Sequence, residues 1–104
     1  MAVPQLTEAE RGEALAGLPE WHLRDDKLAI ARRFRFADFS EAFAFMARVA
    51  LIAEKRDHHP DWSNAYNRVV IDIVSHSAGG VTQKCLDLAI DVEAIAREMV
   101  EPGI

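Results

Sequence analysis

Residues 54–62 read EKRDHHPDW and mark the point where a long apolar run gives way to a different pattern. Pro60 disfavours helical geometry at the residue before it, so the preceding helix is predicted to end near Asp57. The two adjacent imidazoles of His58 and His59 are therefore expected at a helix end. Because loops and element ends are where folds display reactive groups, this stretch is the first candidate for a functional site.

The apolar run before this stretch has helical periodicity and begins with a capping signal. Asp38 and Glu41 have the spacing of a capping box, which opens a helix. The predicted core stripe of this helix comprises Phe39, Phe43, Met46, Ala50 and Ala53, widened by Phe45, Val49 and Ile52. Aromatic residues and methionine at this spacing are typical of a core, so we expect these side chains to be buried.

Two strand-like runs and a third helix are predicted after the histidine pair. The runs 62–66 and 69–75 surround Asn67 and predict a β-hairpin. Alternation assigns one face to Val69, Ile71, Ile73 and Ser75, and the other to Val70, Asp72, Val74 and His76. After a Gly-Gly pair, Thr82 is predicted to cap a third helix. The apolar stripe of that helix comprises Cys85, Leu88, Ala89, Val92, Ile95, Ala96 and Met99.

The N-terminal part of the chain predicts a helix followed by another hairpin. Thr7 and Glu10 have the spacing of a capping box, and this helix should end near Gly17. Residues 21–36 then follow a period of two, with a turn at the acidic pair 25–26. One face of this hairpin comprises Leu28, Ile30, Phe34 and Phe36, and the other Ala29, Ala31, Arg33 and Arg35.

The predicted element order is helix, strand, strand, helix, strand, strand, helix. The simplest arrangement that buries every stripe is an α+β fold, with three helices packed on one face of a four-stranded antiparallel sheet. The opposite face carries Arg33, Arg35 and Asp72 and would meet water or a partner chain. A chain of 104 residues fits one domain, so a single domain over residues 1–104 is expected.

Composition argues against several classes of protein. The formal net charge is −5 and there is no run of lysine or arginine, so direct nucleic-acid binding is not expected. No apolar stretch approaches the ~20 residues of a membrane span. The polar, acidic N-terminus is unlike a signal peptide. The single cysteine, Cys85, excludes an internal disulfide and suits a reducing cytosol, so a cytoplasmic location is expected.

The chain has four histidines, His22, His58, His59 and His76, and the last three could converge at one end of the fold. Three interpretations stay open from the residues alone: surface histidines near helix caps, a metal site, or acid–base chemistry on an organic substrate held beside Trp62 or a nearby aromatic residue. A metal site is disfavoured, because adjacent residues at a helix end point roughly 100° apart and neither HExxH nor HxH occurs. Histidine gives and takes protons near neutral pH, which suits the third interpretation.

The longer run EKRDHHPDWSNAYNRVVIDIVSHSAGGVTQKCLDLA, residues 54–89, resembles the signature of the pterin-4a-carbinolamine dehydratases. The family pattern is EK-x-DHHP-[ED]-W-x-N-x-YN-x-V, then a strand ending in TH or SH, then GGLT-x-KD-x-x-LA. The resemblance extends upstream through FRFADFSEAFAFMARVALIAEK, residues 34–55. The predicted element order also agrees with this family over essentially the whole chain.

The resemblance implies dehydration of 4a-hydroxytetrahydrobiopterin, the spent cofactor of aromatic amino-acid hydroxylases, to quinonoid dihydropterin and water. A reductase then recycles the product. The step needs a proton delivered to the C4a hydroxyl and another removed from N5, and the resemblance implies neither a metal nor a redox cofactor. His58 and His76 match the positions proposed for proton transfer. His59 matches the third active-site histidine, which is assigned to binding and orientation.

The same resemblance assigns further residues to the site. The positions that match pterin-contacting segments are Asp57, His58, His59, Val74, Ser75, His76 and Ser77. Three residues are candidates for a supporting role. Glu54 has an i,i+4 relation to His58 and would orient it, while Trp62 would be a structural lid or a stacking surface. Cys85 stands where the family pattern has an aspartate. A carboxylate there would cap the helix and tune the proton affinity of a histidine, and cysteine is expected to do neither well. Cys85 is instead expected to pack as a small hydrophobe or to carry a partial thiolate.

The resemblance also bears on partners. The family assembles as dimers and tetramers, and in animals a member is a dimerisation partner of a homeodomain transcription factor through a helix bundle. It therefore implies a pterin substrate, a homodimer or homotetramer, and a functional link to an aromatic amino-acid hydroxylase. An alternative is a non-catalytic or weakly active dimerisation or accessory protein of the same fold. Leu86 and Ile90 form a second apolar set on the third helix, which favours an oligomer.

Overall fold

The computed structural model describes residues 4–100. Its helices are α1 (Glu8–Ala16), α2 (Phe39–Arg56) and α3 (Gln83–Val100), and its strands are β1 (His22–Leu23), β2 (Ile30–Arg35), β3 (Asp61–Ala65) and β4 (Arg68–Ile73). The order α-β-β-α-β-β-α is the predicted one, so the α+β fold class is confirmed. No helix within residues 4–100 combines the length and the apolar content that crossing a membrane would require.

The four strands form one antiparallel sheet in the order β1-β2-β4-β3. Strands β2 and β4 pair along their whole length, with Ile30 opposite Ile73. Strand β3 begins at Asp61, opposite Asp72 of β4. The end of α2, the start of β3 and the end of β4 therefore meet at one end of the sheet, and the histidine pair lies there.

Side-chain caps fix the helix starts that the sequence predicts. The Thr7 hydroxyl accepts the Glu10 N–H at 3.1 Å, and the Glu10 carboxylate accepts the Thr7 N–H at 2.8 Å. At α2, the Asp38 carboxylate accepts the Glu41 N–H at 2.8 Å. Each contact satisfies a backbone donor that the first helical turn leaves free. The predicted starts of α1 and α2 are therefore confirmed, as is the end of α1 before Gly17.

The two hairpins turn where predicted. The Asp26 carboxylate accepts the Leu28 N–H at 3.0 Å, an Asx-type contact that holds the first turn. Lys27 in that turn and Tyr66 in the second both have positive φ. The Asn67 side chain donates to the Phe36 carbonyl at 3.0 Å and so ties the second turn to the end of β2.

The core lies between the helices and the inner face of the sheet. Its fully buried large side chains include Ile30, Phe45, Val49, Val69, Ile71, Ile73, Leu88 and Val92. The Phe45 ring lies 4.8 Å from the ring centroids of both Phe34 and Phe36. The predicted inner faces of β2 and β4 are confirmed except at Leu28, which lies in the turn and is exposed.

The prediction that the whole aromatic stripe of α2 is buried is wrong. Phe39 and Phe43 are 49% and 56% exposed, and Ala50 is also exposed. The buried residues of α2 are Ala42, Phe45, Val49 and Ala53. Two apolar stripes lie side by side on α2, and packing on one side buries an arc of only about 100° of the helix surface. Phe39 and Phe43 pack against each other outside that arc, with ring centroids 5.8 Å apart.

The prediction of a second apolar face on α3 is half wrong. The core stripe is confirmed: Cys85, Leu88, Ala89, Val92, Ile95 and Ala96 are buried, and Met99 packs against them. Leu86, however, is only 3% exposed and belongs to the chain's own core, where Leu6 and Leu15 of the N-terminal segment also pack. Ile90 is 53% exposed and is left alone on the outer side.

The outer face of the sheet carries the predicted arginines. Arg33 and Arg35 are exposed on β2, and Arg35 lies directly opposite Arg68 of β4. Asp72, at the other end of this face, is 2.8 Å from the Arg24 guanidinium. A hollow of about 470 Å³ lies among the three arginines, on the face opposite the helices.

Candidate active site

Helix α2 ends in a Schellman motif that turns the chain at the histidine pair. Asp57 adopts the left-handed conformation, with φ 51° and ψ 44°. Its N–H donates to the Glu54 carbonyl at 3.2 Å, and the His58 N–H donates to the Ala53 carbonyl at 3.1 Å. These are the two hydrogen bonds of the motif. Aspartate tolerates the left-handed region better than most residues, and the predicted helix end near Asp57 is confirmed.

His58 points inward from this turn. It is partly buried, and its Nε2 lies 3.4 Å from Sγ of Cys85 on α3. Burial lowers the pKa of His58 below its ordinary value. Neighbouring positive charges lower this pKa further, namely those of Lys84, His59 and His76, while the Asp57 carboxylate acts in the opposite direction. The end of α2, the start of β3 and the loop after β4 meet at this end of the sheet, so the three histidines lie on neighbouring segments.

His59 and His76 lie at the surface, each beside a carboxylate. Nε2 of His59 is 2.7 Å from Oε1 of Glu54, and Nε2 of His76 is 3.4 Å from Oδ2 of Asp61. Their side chains are 54% and 76% exposed. The site therefore combines one inward imidazole with two imidazoles that solvent can reach.

Glu54 contacts a different histidine from the one predicted. The i,i+4 relation places Glu54 and His58 on one face only while the helix continues. The left-handed residue Asp57 ends the helix before His58, so the Glu54 carboxylate faces His59 instead.

Buried polar groups connect His58 to the start of α3. Oγ of Ser75 lies 2.6 Å from Oγ1 of Thr82 and 3.3 Å from Sγ of Cys85. The Thr82 N–H donates to Sγ of Cys85 at 3.5 Å. Cys85 is the third residue of α3, and its sulfur accepts the N–H of Thr82, the residue before the helix, as the carboxylate of a capping box would. Cysteine therefore takes part in this cap, but sulfur is a weak acceptor, and that cysteine caps less well than a carboxylate stays a prediction.

The loop after β4 holds the remaining predicted site residues. Ser75 and Gly80 form two backbone hydrogen bonds, of 2.9 and 3.3 Å, which close the loop. His76 and Ser77 are exposed within it, while Val74 is partly buried before it. The Ser75 side chain is only 6% exposed and faces the interior rather than the loop surface.

Trp62 and His22 occupy different parts of the molecule. Trp62 lies on β3 opposite Ile71, packs against the core and keeps part of its surface exposed. Its role as a structural lid or a stacking surface stays a prediction. His22 lies exposed on β1, the far edge of the sheet, and takes no part in the histidine group. Within residues 4–100, no three His, Cys, Asp or Glu side chains form a group that could hold a metal ion.

The model of the pterin 4 alpha carbinolamine dehydratase family matches residues 4–95 of this chain. The chain belongs to that family. A relative from Novosphingobium aromaticivorans, provisionally named pterin-4-alpha-carbinolamine dehydratase, is 56% identical over 94 residues, which are 90% of this chain and 98% of the relative. A relative from Rhizorhabdus wittichii with the same provisional name is 52% identical over 96 residues, covering 92% and 99% of the two chains.

Two solved structures share the dehydratase fold. A crystal structure from Brucella melitensis, described as a transcriptional coactivator/pterin dehydratase, matches with a TM-score of 0.86 and 52% identity, over 88% of this chain and 98% of that one. A pterin dehydratase-like protein identified as a RuBisCO assembly factor in the alpha-carboxysome matches with a TM-score of 0.64 over 74% of this chain and 89% of its own. At 22% identity, the second likeness shows the fold alone.

Sequence reasoning missed two charged residues near the histidines. Asp61 lies beside His76, and Lys84 adds a positive charge near His58. Both pairs come close only when distant segments meet: β3 beside the loop after β4, and the first turn of α3 beside the end of α2. The available signal for Asp61 was its place in the DHHP-[ED]-W pattern, where the family allows only an acidic residue.

Proposed function

We propose that the protein dehydrates 4a-hydroxytetrahydropterins to quinonoid dihydropterin and water by histidine acid–base catalysis. The observation that carries the proposal is the grouping of His58, His59 and His76 in unlike environments. One imidazole is partly buried with a lowered pKa, and two are exposed beside carboxylates. Side chains that give and take protons near neutral pH suit this reaction.

The dehydration needs two proton transfers at neighbouring substrate atoms. The C4a–O bond breaks while the N5–H bond electrons form the C4a=N5 double bond. The departing hydroxide takes up a proton and leaves as water, and the proton from N5 passes to a base, so charge and atoms balance. His58 and His76 are the proposed proton-transfer pair. His59, held by Glu54, would bind and orient the pterin together with Asp57 and the loop from Val74 to Ser77.

The supporting residues fit this division of work. Asp61 is close enough to fix the ring of His76, and Cys85 contacts the buried nitrogen of His58. Trp62 packs between the core and the surface on β3, next to the start of that strand. None of these three side chains needs to react. Asp61 and Cys85 each limit the motion of a histidine that does, which lowers the cost of reaching the reactive geometry.

A coupled assay tests the proposal directly. Phenylalanine hydroxylase generates the unstable 4a-hydroxytetrahydropterin, and the rate at which quinonoid dihydropterin appears is compared with and without the protein. We expect the protein to accelerate this step and a strong chelator to leave the acceleration unchanged. A rate equal to that of buffer alone, or a chelator-induced loss that zinc restores, would contradict the proposal.

A second candidate function is an accessory role in which binding to another chain dominates. The observation that favours it is the apolar outer side of α2, where Phe39, Phe43 and Leu51 are 49%, 56% and 73% exposed. The two functions do not compete for residues, because the histidines lie at the end of α2 and this surface along its side. We propose homo-oligomerisation through this surface, and a functional link to an aromatic amino-acid hydroxylase through the recycled pterin.

A further inference from the structure

We propose that Cys85 is a positioning residue, whose thiol donates to Nε2 of His58 and thereby holds the proton of the neutral imidazole on Nδ1. The outward nitrogen of His58 is then an N–H donor. The structural part of this proposal stands by itself, and its consequence for catalysis rests on the proposed function.

Four polar atoms form a line from the buried start of α3 to the partly buried ring of His58. They are Oγ1 of Thr82, Oγ of Ser75, Sγ of Cys85 and Nε2 of His58, at successive separations of 2.6, 3.3 and 3.4 Å. Thr82 and Cys85 are fully buried and Ser75 is 6% exposed. In the described part of the chain, the Thr82 hydroxyl has only Ser75 and, at 3.8 Å, the cysteine sulfur as hydrogen-bond partners.

Counting protons along this line selects one tautomer. Two hydroxyls and one thiol supply three protons. Four atoms in a line have three gaps between neighbours, and each gap can hold one hydrogen bond. Every gap is filled when Thr82 donates to Ser75, Ser75 donates to Cys85, and Cys85 donates to Nε2 of His58. A further proton on Nε2 would be a fourth proton for three gaps. The Thr82 hydroxyl would then have only Sγ of Cys85 as its acceptor, at 3.8 Å, and a hydrogen bond of that length to sulfur is weak.

The charges around His58 favour the neutral imidazole that this line requires. Lys84 from α3, His59 beside it and His76 from the loop after β4 all oppose a positive charge on the ring, and only Asp57 among the groups that shift it supports one. A neutral thiol matches a neutral ring. A carboxylate at position 85, which the family pattern prefers, would accept a proton from Nε2 and favour the imidazolium.

The tautomer indicates which of the two substrate atoms, the C4a hydroxyl oxygen or N5, His58 faces. A neutral imidazole with its proton on Nδ1 offers the substrate a donor and no free lone pair. His58 would therefore face the departing C4a hydroxyl and donate a hydrogen bond to its oxygen, which stabilises the negative charge that develops there as the C4a–O bond breaks. Removal of the N5 proton falls to an exposed histidine, for which His76 beside Asp61 is placed.

Nitrogen-15 NMR of the imidazoles tests the tautomer in the resting protein, without any substrate. Above the pH at which His58 titrates, we expect its Nδ1 to show the shift of a protonated nitrogen and its Nε2 that of a bare one. His22 in the same spectrum is the internal reference, because it lies outside the site. A His58 that carries its proton on Nε2, or a thiolate absorbance from Cys85 at neutral pH, would overturn the proposal.

Three substitutions separate positioning from packing. Cys85→Ser keeps the count of protons and should keep the tautomer, whereas Cys85→Ala breaks the line and should release it. Cys85→Asp should move the proton to Nε2 and raise the pKa of His58, because a neighbouring carboxylate favours the imidazolium. Val92→Ala, a buried position further along α3, is the control for a cavity: it should lower the melting temperature and leave the His58 shifts unchanged. Unchanged His58 shifts in Cys85→Ala would refute the positioning role.

Kinetics then tests the link to catalysis. We expect kcat of Cys85→Ala to fall roughly two- to tenfold below that of Cys85→Ser, the rate equivalent of one neutral hydrogen bond, with little change in KM. Equal kcat values for the two variants, with the NMR result as expected, would show that the tautomer does not matter for turnover. Absence of dehydratase activity in the wild type would refute the proposed function and leave the tautomer assignment standing.

Discussion

The three imidazoles at the end of α2 and in the loop after β4 share one chemistry but have different neighbours. His58 contacts a thiol, His59 the Glu54 carboxylate and His76 the Asp61 carboxylate. We expect His58→Ala and His76→Ala each to lower kcat by roughly 10²-fold or more, the effect of losing a general acid or base. His59→Ala should act mainly on KM. His22→Ala is the matched control, since that histidine is exposed on β1.

Turnover of the double variant of His58 and His76 decides whether this assignment holds. If the two histidines act in one reaction step, the double variant should be about as slow as the slower single variant, because residues that act as a unit are not additive. Near-wild-type turnover of the double variant in the coupled assay would refute the assignment.

The lowered pKa of His58 also predicts how stability depends on pH. The folded pKa lies below the ordinary value of 6.5, so between the two values the unfolded chain binds more protons than the folded one. Stability should therefore fall as the pH drops from about 7 through 6.5 toward the folded pKa, and this loss is complete below both values. His58→Gln, which cannot titrate, should show a shallower fall. The free energy of unfolding by urea, measured at several pH values, checks this; equal slopes would contradict it.

At the scale of the elements, the sequence was most informative where a local signal acts alone. Thr7 with Glu10 and Asp38 with Glu41 cap their helices as predicted, because a cap depends on neighbours in sequence. Pro60 likewise placed the end of α2. The α2 stripe failed because helical periodicity identified two adjacent apolar arcs and could not say which one the sheet covers.

The candidate site was predictable in part for the same reason. The histidines stand out in sequence, but the contact between His58 and Cys85 depends on how α2 and α3 meet, which no local pattern encodes. The Glu54 prediction failed at one residue, Asp57, whose left-handed conformation breaks the helical spacing.

The Schellman turn at Asp57 provides a test at this scale. Glycine adopts the left-handed conformation without strain, whereas alanine at such a position costs roughly 1–2 kcal/mol. We expect the free energy of unfolding of Asp57→Ala, measured by urea denaturation, to be lower than that of Asp57→Gly by about this amount. Both variants lose the carboxylate, so the comparison isolates the backbone. Equal stabilities would mean that the turn rearranges when residue 57 changes.

At the scale of the whole molecule, the described residues bury the inner face of the sheet, while large apolar side chains on one side of α2 stay exposed. Phe39, Phe43 and Leu51 are the large apolar side chains exposed on α2, and Arg48, near Leu51, pairs with Glu98 of α3 at 2.5 Å. Burying apolar surface away from water is favourable by about 25 cal/mol per Å². A chain that is monomeric at working concentration would forgo that gain on several large side chains at once.

We therefore expect a homo-oligomer whose interface includes the side of α2. Light scattering at micromolar concentration should give a mass above 11.6 kDa by a whole-number factor. Phe43→Ser together with Leu51→Ser should shift the mass toward that of a monomer, because it removes apolar area without touching the buried arc of Ala42 and Val49. Tyr66→Ser is the matched control: Tyr66 is 64% exposed, yet it lies in the β3–β4 turn, so its loss should leave the mass unchanged. A monomeric wild type would contradict the prediction, and an oligomer that persists in the double variant would place the interface elsewhere, with the outer face of the sheet as the next surface to test.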